Sequence, residues 1–82
     1  MDQIARTSKQ LGAAIRRQRR ALGLSQTTLG AKTKLRQATI SGLENGEPGT
    51  QLRTVVDVLA ALGLELVVRE RSKAGENIAE LF

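Results

Sequence analysis

QTTLGAKTKLRQATISGLENG, running from Gln26 to Gly46, is the stretch that decides the fold. Ser25, just before it, is a good N-cap for a short helix over about Gln26 to Thr33, because its hydroxyl accepts from the free amides of a first turn. A break follows at Lys34-Leu35-Arg36, and another short helix reads from about Gln37 to Asn45. Two short helices that cross closely need small residues at the crossing, and Gly30 with Ala31 supplies them. Leu29, Leu35, Ile40 and Leu43 fall at the intervals of an apolar seam between the pair. Arg36, Gln37, Thr39 and Ser41 are left outward. Asn45-Gly46-Glu47-Pro48-Gly49 is strong turn chemistry and closes the unit.

Upstream, a helix reads from about Lys9 to Leu22. Thr7 and Gln10 make a capping-box pattern, and Leu11, Ile15, Gln18 and Leu22 lie on one helical stripe with Gln18 as its polar interruption. Leu11, Ile15 and Leu22 are expected in the core. Arg16, Arg17, Arg19 and Arg20 cannot all point one way on a helix, so the run divides between phosphate and solvent. Gly23 stops this helix. Downstream, Thr50 or Gln51 opens a fourth helix through Leu62, with Leu52, Val55, Val56 and Leu59 as its expected buried face and Gly63 as its stop. Leu64-Glu65-Leu66-Val67-Val68-Arg69-Glu70-Arg71 alternates in part and is β-branched, which reads as a strand with Leu64, Leu66 and Val68 on one face. The organisation is therefore an N-terminal arm (1–8), a helical domain (9–63), a strand (64–71) and a polar tail (72–82). Ile78, Leu81 and Phe82 at the end of that tail have the spacing of an anchor for a partner, or are simply a frayed terminus.

Composition narrows the function. The 82 residues hold no cysteine or histidine, which removes thiolate nucleophiles, disulfides and the usual zinc ligands; no metal or cofactor is expected. Without those groups, and with little room for a pocket in so short a chain, catalysis is not expected either. The net charge of +5 is unevenly spread: residues 1–40 carry nine Lys/Arg against one acid, and residues 41–82 four against seven. A basic front half suits phosphate. Phe82 is the sole aromatic, which disfavours single-stranded nucleic acid, where bases stack on aromatic platforms. No apolar run is long enough to span a bilayer and the start lacks a signal-peptide pattern, so a cytoplasmic location without membrane contact is expected.

Two short helices joined by a tight turn, with flanking helices to bury their backs, make a unit that reads the major groove of duplex DNA. Arg pairs with guanine O6/N7, Gln with adenine N6/N7, and Ala38 or the Thr39 methyl meets a thymine methyl. Residues 26–46, above all the Ile40-Ser41-Gly42-Leu43-Glu44-Asn45-Gly46 ending, resemble the Cro/phage-repressor (xenobiotic-response-element) helix-turn-helix family, with the likeness covering about Thr7 to Leu62. The resemblance implies a mostly α fold, a four- to five-helix lambda-repressor-like helix-turn-helix domain. It places Thr27, Arg36, Gln37, Ala38 and Thr39 toward bases. It gives Gln26, Ser41 and Asn45 phosphate contacts, although Ser41 and Asn45 also suit purely local roles, and Lys34 and Arg17 join them as phosphate-binding candidates. Glu44, a carboxylate that DNA would repel, is expected to pair with an Arg of the first helix. Two residues depart from the family: Gly30 stands where Ala is usual, and Lys34 where a turn Gly is usual.

A four-helix core followed directly by a strand resembles the HipB-type antitoxins. That likeness implies a C-terminal strand pairing across a dimer, a palindromic operator, and a HipA-like kinase toxin as partner of a repressor that autoregulates its operon. A free-standing phage-type repressor without a toxin stays open as an alternative, and a basic RNA-binding protein is a weaker one.

Overall fold

The computed structural model describes residues 2–71, within which four helices follow one another: α1 (Ser8–Ala21), α2 (Gln26–Thr33), α3 (Gln37–Glu44) and α4 (Leu52–Ala61). The caps follow local chemistry. Thr7 Oγ1 accepts from the Gln10 amide at 3.0 Å, while Gln10 Oε1 accepts from the Arg6 amide at 2.6 Å. The reciprocal bond thus reaches one residue further out than a standard capping box. Ser25 Oγ accepts from the Thr28 amide and opens α2.

All four helices stop in the same way. After each, one amide bonds a carbonyl three residues back and the next bonds five residues back: Gly23 to Arg20 and Leu24 to Arg19; Lys34 to Ala31 and Leu35 to Gly30; Gly46 to Leu43 and Glu47 to Gly42; Gly63 to Ala60 and Leu64 to Leu59. This double bond requires a left-handed residue at the stop. Glycine fills that place three times; after α2 it is Lys34, with φ 58°.

Ile15, Leu29, Ile40, Leu43, Val55, Val58, Leu59 and Leu62 form the core, with Leu11, Leu24, Leu35 and Leu64 packed at its margin. The expected seam between α2 and α3 is present, and Gly30 is needed there: a Cβ on it would stand 2.6 Å from the Leu35 carbonyl oxygen. Gly12 plays the same part in α1, where a Cβ would meet the carbonyl oxygens of Leu43 and Glu44 at 2.5 Å.

Three core expectations are corrected. Leu22 is 50% exposed, because the stripe that faces inward runs through Gly12, Ile15 and Arg19, and Leu22 caps the helix beyond it. Leu52 and Val56 are exposed, while Val58 is fully buried. The buried arc of α4 is Val55, Val58, Leu59 and Leu62, the i, i+3, i+4, i+7 set. Val56 is turned about 100° off that arc, and Leu52 opens the helix at the edge of the core.

Beneath α3 the structure buries an ion pair. Glu44 has no side-chain exposure and Arg19 only 9%. Arg19 donates from Nε to Glu44 Oε2 at 2.6 Å and from Nη2 to Oε1 at 2.9 Å, and its Nη1 donates to the Leu24 carbonyl. Arg16 Nε reaches Oε1 from the side at 3.3 Å. The expected bond from Glu44 to an arginine of the first helix is therefore present, and it is Arg19, neither solvated nor on phosphate. Burial by itself pushes the Glu44 carboxyl up. Hydrogen bonds from Arg19 and Gln26, the Arg19 charge and the Arg16 bond outweigh burial and hold it below the ordinary carboxylate value. Arg19 is shifted the other way, raised chiefly by its hydrogen bond to Glu44 against the opposing effect of burial.

Two stability predictions follow from this packing. Glu44→Gln leaves the Arg19 charge buried without its counter-charge, and a loss on the order of 3–5 kcal/mol is expected in urea unfolding. Because the folded carboxyl is depressed, its contribution is complete above the unfolded value near 4.3 and disappears as pH falls through the lower folded one. The wild type is thus expected to lose stability more steeply than the Gln variant below about pH 4; parallel pH profiles would contradict the pairing. Lys34→Gly relieves a left-handed side-chain residue worth about 1–2 kcal/mol but adds freedom to the unfolded chain, so a net gain of about 0.5–1 kcal/mol is expected from the denaturation midpoint.

Candidate nucleic-acid interface

The two faces of α3 divide sharply. Ile40, Gly42, Leu43 and Glu44 are buried, whereas Arg36, Gln37, Ala38 and Thr39 are exposed. Arg36 is the N-cap residue with extended backbone and makes no side-chain cap bond, so its guanidinium is not spent on the helix start. Ser41 is half-buried. The start of α2 lies beside the start of α3: Gln37 Nε2 donates to Gln26 Oε1 at 2.6 Å, and Gln26 Nε2 donates to Glu44 Oε1 at 3.1 Å. The buried carboxylate is thereby tied through two amides to the exposed end of α3. Thr27 is exposed one residue on.

Other candidates are placed differently. Asn45 Oδ1 accepts from Arg16 Nη2 at 2.9 Å, so one of its polar atoms serves to tie α1 to the end of α3. Arg17 donates twice to Gln3 Oε1, at 2.6 and 3.1 Å, which holds the N-terminal arm along α1. Lys34 is exposed in the turn between α2 and α3. Gln18, the polar interruption of the first helix, donates to the Leu62 carbonyl at 3.0 Å and so fastens α1 to the end of α4.

At the C-terminal side, Leu64 turns inward against the core while Leu66 and Val68 are exposed, so the three do not share a buried face within one chain. Leu64 is committed by the helix stop of α4, whose amide bond to Leu59 brings the two leucines together. Residues 64–71 form no strand here, since none of the described residues offers them a ladder partner. Ile78, Leu81 and Phe82 lie outside the described residues.

Reading the sequence missed Arg19, Gly12 and Gln3. Arg19 had a signal: it continues the Gly12–Ile15 spacing into the core, where a charge requires an opposite one. No comparable mark distinguishes Gln3.

No helix among the described residues is long and apolar enough to cross a membrane. Comparison with known proteins adds a family. The helix-turn-helix family model matches residues 15–68. The HipB antitoxin of Escherichia coli O6:H1 (strain CFT073) is 34% identical over 71 residues, covering 87% of this chain and 76% of that protein. Among solved structures, a HipA-HipB-O2-O3 complex contains a chain with TM-score 0.79 and 31% identity, and a HipB-O4 20mer complex contains another with the same values. Each covers 87% of this chain and 100% of the other. With four helices in this order, the outward Arg36–Thr39 edge and these relatives, the chain belongs to the helix-turn-helix family, on its HipB antitoxin branch.

Proposed function

We propose that the protein is a sequence-specific duplex-DNA-binding repressor and the antitoxin of a HipA/HipB-type pair, acting as a cytoplasmic homodimer by binding and not by catalysis. The observation that carries this reading is the division of α3: a sealed back of Ile40, Gly42, Leu43 and the ion-paired Glu44, and an exposed front of Arg36, Gln37, Ala38 and Thr39. A helix so presented fits the major groove, with Arg36 and Gln37 as bidentate readers and Ala38 and Thr39 against thymine methyls. Thr27 joins them from α2. Gln26, Ser41, Lys34, Arg17 and the remaining amide of Asn45 are assigned to phosphate, where they set register and not sequence. A HipA-like kinase is the protein partner, on the strength of the HipB relatives, one of which is found with HipA. Ile78, Leu81 and Phe82 are the residues we assign to that contact.

The homodimer is assigned to residues 64–71. Leu66, Val67 and Val68 are 51%, 69% and 99% exposed, three successive apolar side chains that none of the described residues covers well. A second copy aligned about a two-fold axis supplies both the cover and the missing backbone ladder.

Footprinting on a selected duplex is expected to show two half-sites about one helical turn, or a multiple, apart, with affinity falling steeply as salt rises. Arg36→Ala is expected to cost roughly 1–3 kcal/mol on the cognate site and to relax preference at one base pair. A single asymmetric site, or unchanged preference in this variant, would overturn the assignment of α3. Separately, Leu66→Asp is expected to shift sedimentation from dimer to monomer and to reduce affinity for the two-fold site; a persistent dimer would overturn the strand pairing.

A further inference from the structure

Glu65-Leu66-Val67-Val68-Arg69 carries opposite charges at its two ends and apolar residues between them, and all five side chains are exposed. Neither Glu65 nor Arg69 is in an ion pair with any of the described residues. In an extended chain the two charges are four residues apart and lie on one face with Val67. Leu66 and Val68 lie on the other face with Leu64, which packs at the core margin.

Two copies that share an antiparallel ladder about a two-fold axis have few ways to pair. The axis stands perpendicular to the sheet and keeps each face on its own side, so it must pass beside one residue that meets its own copy. Centred on Leu66, the ladder sets Glu65 against Val67 and leaves Arg69 opposite Gly63. Centred on Val68, it sets Leu66 against Glu70 and Val67 against Arg69. Centred on Glu65 or Arg69, it puts like charges face to face. With Val67 at the centre every one of the five meets a suitable partner: Val67 meets Val67, Leu66 meets Val68 twice, and Glu65 meets Arg69 twice. Apolar pairs and opposite charges across a ladder stabilise it, and facing like charges destabilise it. So uneven a pattern specifies one register.

We infer that Glu65 and Arg69 fix the register of the dimer strand, with Val67 on the two-fold axis, and that they restrict the partner to a second copy of this chain. A related chain with a different charge at either position would set a like charge, or none, against them. The inference rests on residues 64–71 pairing across the dimer, as proposed above, and adds which residues meet and what they select.

The test uses the full chain at low salt, where exposed charges are least screened, and reads dimerisation by sedimentation. Glu65→Arg places arginine against arginine at both ends of the ladder, and Arg69→Glu places glutamate against glutamate. Each alone is expected to weaken the dimer on the order of tenfold. Mixed in equal amounts, the two variants face each other with opposite charges at both ends. A dimer of near wild-type affinity, containing one of each, is expected. Arg71→Glu makes the same change of charge as Arg69→Glu, yet it is expected to leave the dimer nearly unchanged and to rescue Glu65→Arg poorly. Equal rescue by Arg71→Glu, no rescue in the mixture, or no weakening in Arg69→Glu overturns the register. Leu66→Asp keeps the two failures apart. If it yields a monomer while the charge variants give any of those results, strand pairing stands and the register falls; if it stays dimeric, both fall together.

Discussion

Everything in this small domain depends on a carboxylate that has been taken out of water. Glu44 ends α3, and its oxygens are shared by Arg19 and Arg16 of α1 and by Gln26 of α2. α2 and α3 are eight residues each, too short to persist as helices in isolation, so their angle has to be imposed by what they touch. Apolar contacts between Leu29, Ile40 and Leu43 supply attraction but tolerate sliding. Hydrogen bonds to one buried oxygen do not. Removing such a charge from water is costly, and the cost is met here because a bidentate guanidinium and an amide satisfy the carboxylate at once. Gly12 makes the arrangement possible, since any side chain at that point would hold α1 away from the carbonyls of Leu43 and Glu44 and pull the arginines back.

The spacing between α2 and α3 is set by a second constraint, the helix stop at Lys34. The same pair of backbone bonds ends all four helices, and in three of them glycine adopts the left-handed conformation without penalty. Lys34 adopts it with a Cβ, which stores strain in the turn beside the exposed face of α3. Strain that survives in a native structure is held by its surroundings. Here the Leu35 amide bonds Gly30, and Leu35 packs at the core margin. The side chain that incurs this strain is a cation, exposed where the proposed phosphate backbone passes.

Much of this was legible in the residues. Thr7, Ser25, Gly23 and Gly63 mark helix ends through local hydrogen bonding and backbone freedom, which depend on near neighbours and so can be read from a single chain. The seam of Leu29, Leu35, Ile40 and Leu43 was legible for a similar reason, as was the small-residue crossing at Gly30. The errors arose where burial depends on what lies across the core. Val56 is as apolar as the Val58 that takes the core place, and only the position of the neighbouring helices tells one from the other. Arg19 inverts the usual rule, since a charged residue holds a core position because its partner, 25 residues on, is a buried acid. The division of α3 into a front and a back is legible at Arg36, Gln37 and Thr39, while Ser41, expected outward, is half-buried. The amide chain behind the front was not legible, because Gln26 and Gln37 are eleven residues apart and meet only once the turn is built.

The uneven charge of the chain then acquires a geometric meaning. α1 to α3 carry the basic excess and, on the proposed reading, face phosphate; the residues after α3 carry six of the eight acids in the chain, and a seventh, Glu44, is itself neutralised inside. On the proposed reading, the exposed Leu66, Val67 and Val68 are where two copies pair. The arrangement also answers an energetic need. On that reading one α3 presents four side chains to bases, and the few kcal/mol of discrimination they supply do not separate one site from a genome of competitors. On that reading two copies fixed by a two-fold axis add their discrimination on a palindrome, so the exposed apolar run and the reading helix belong to one device.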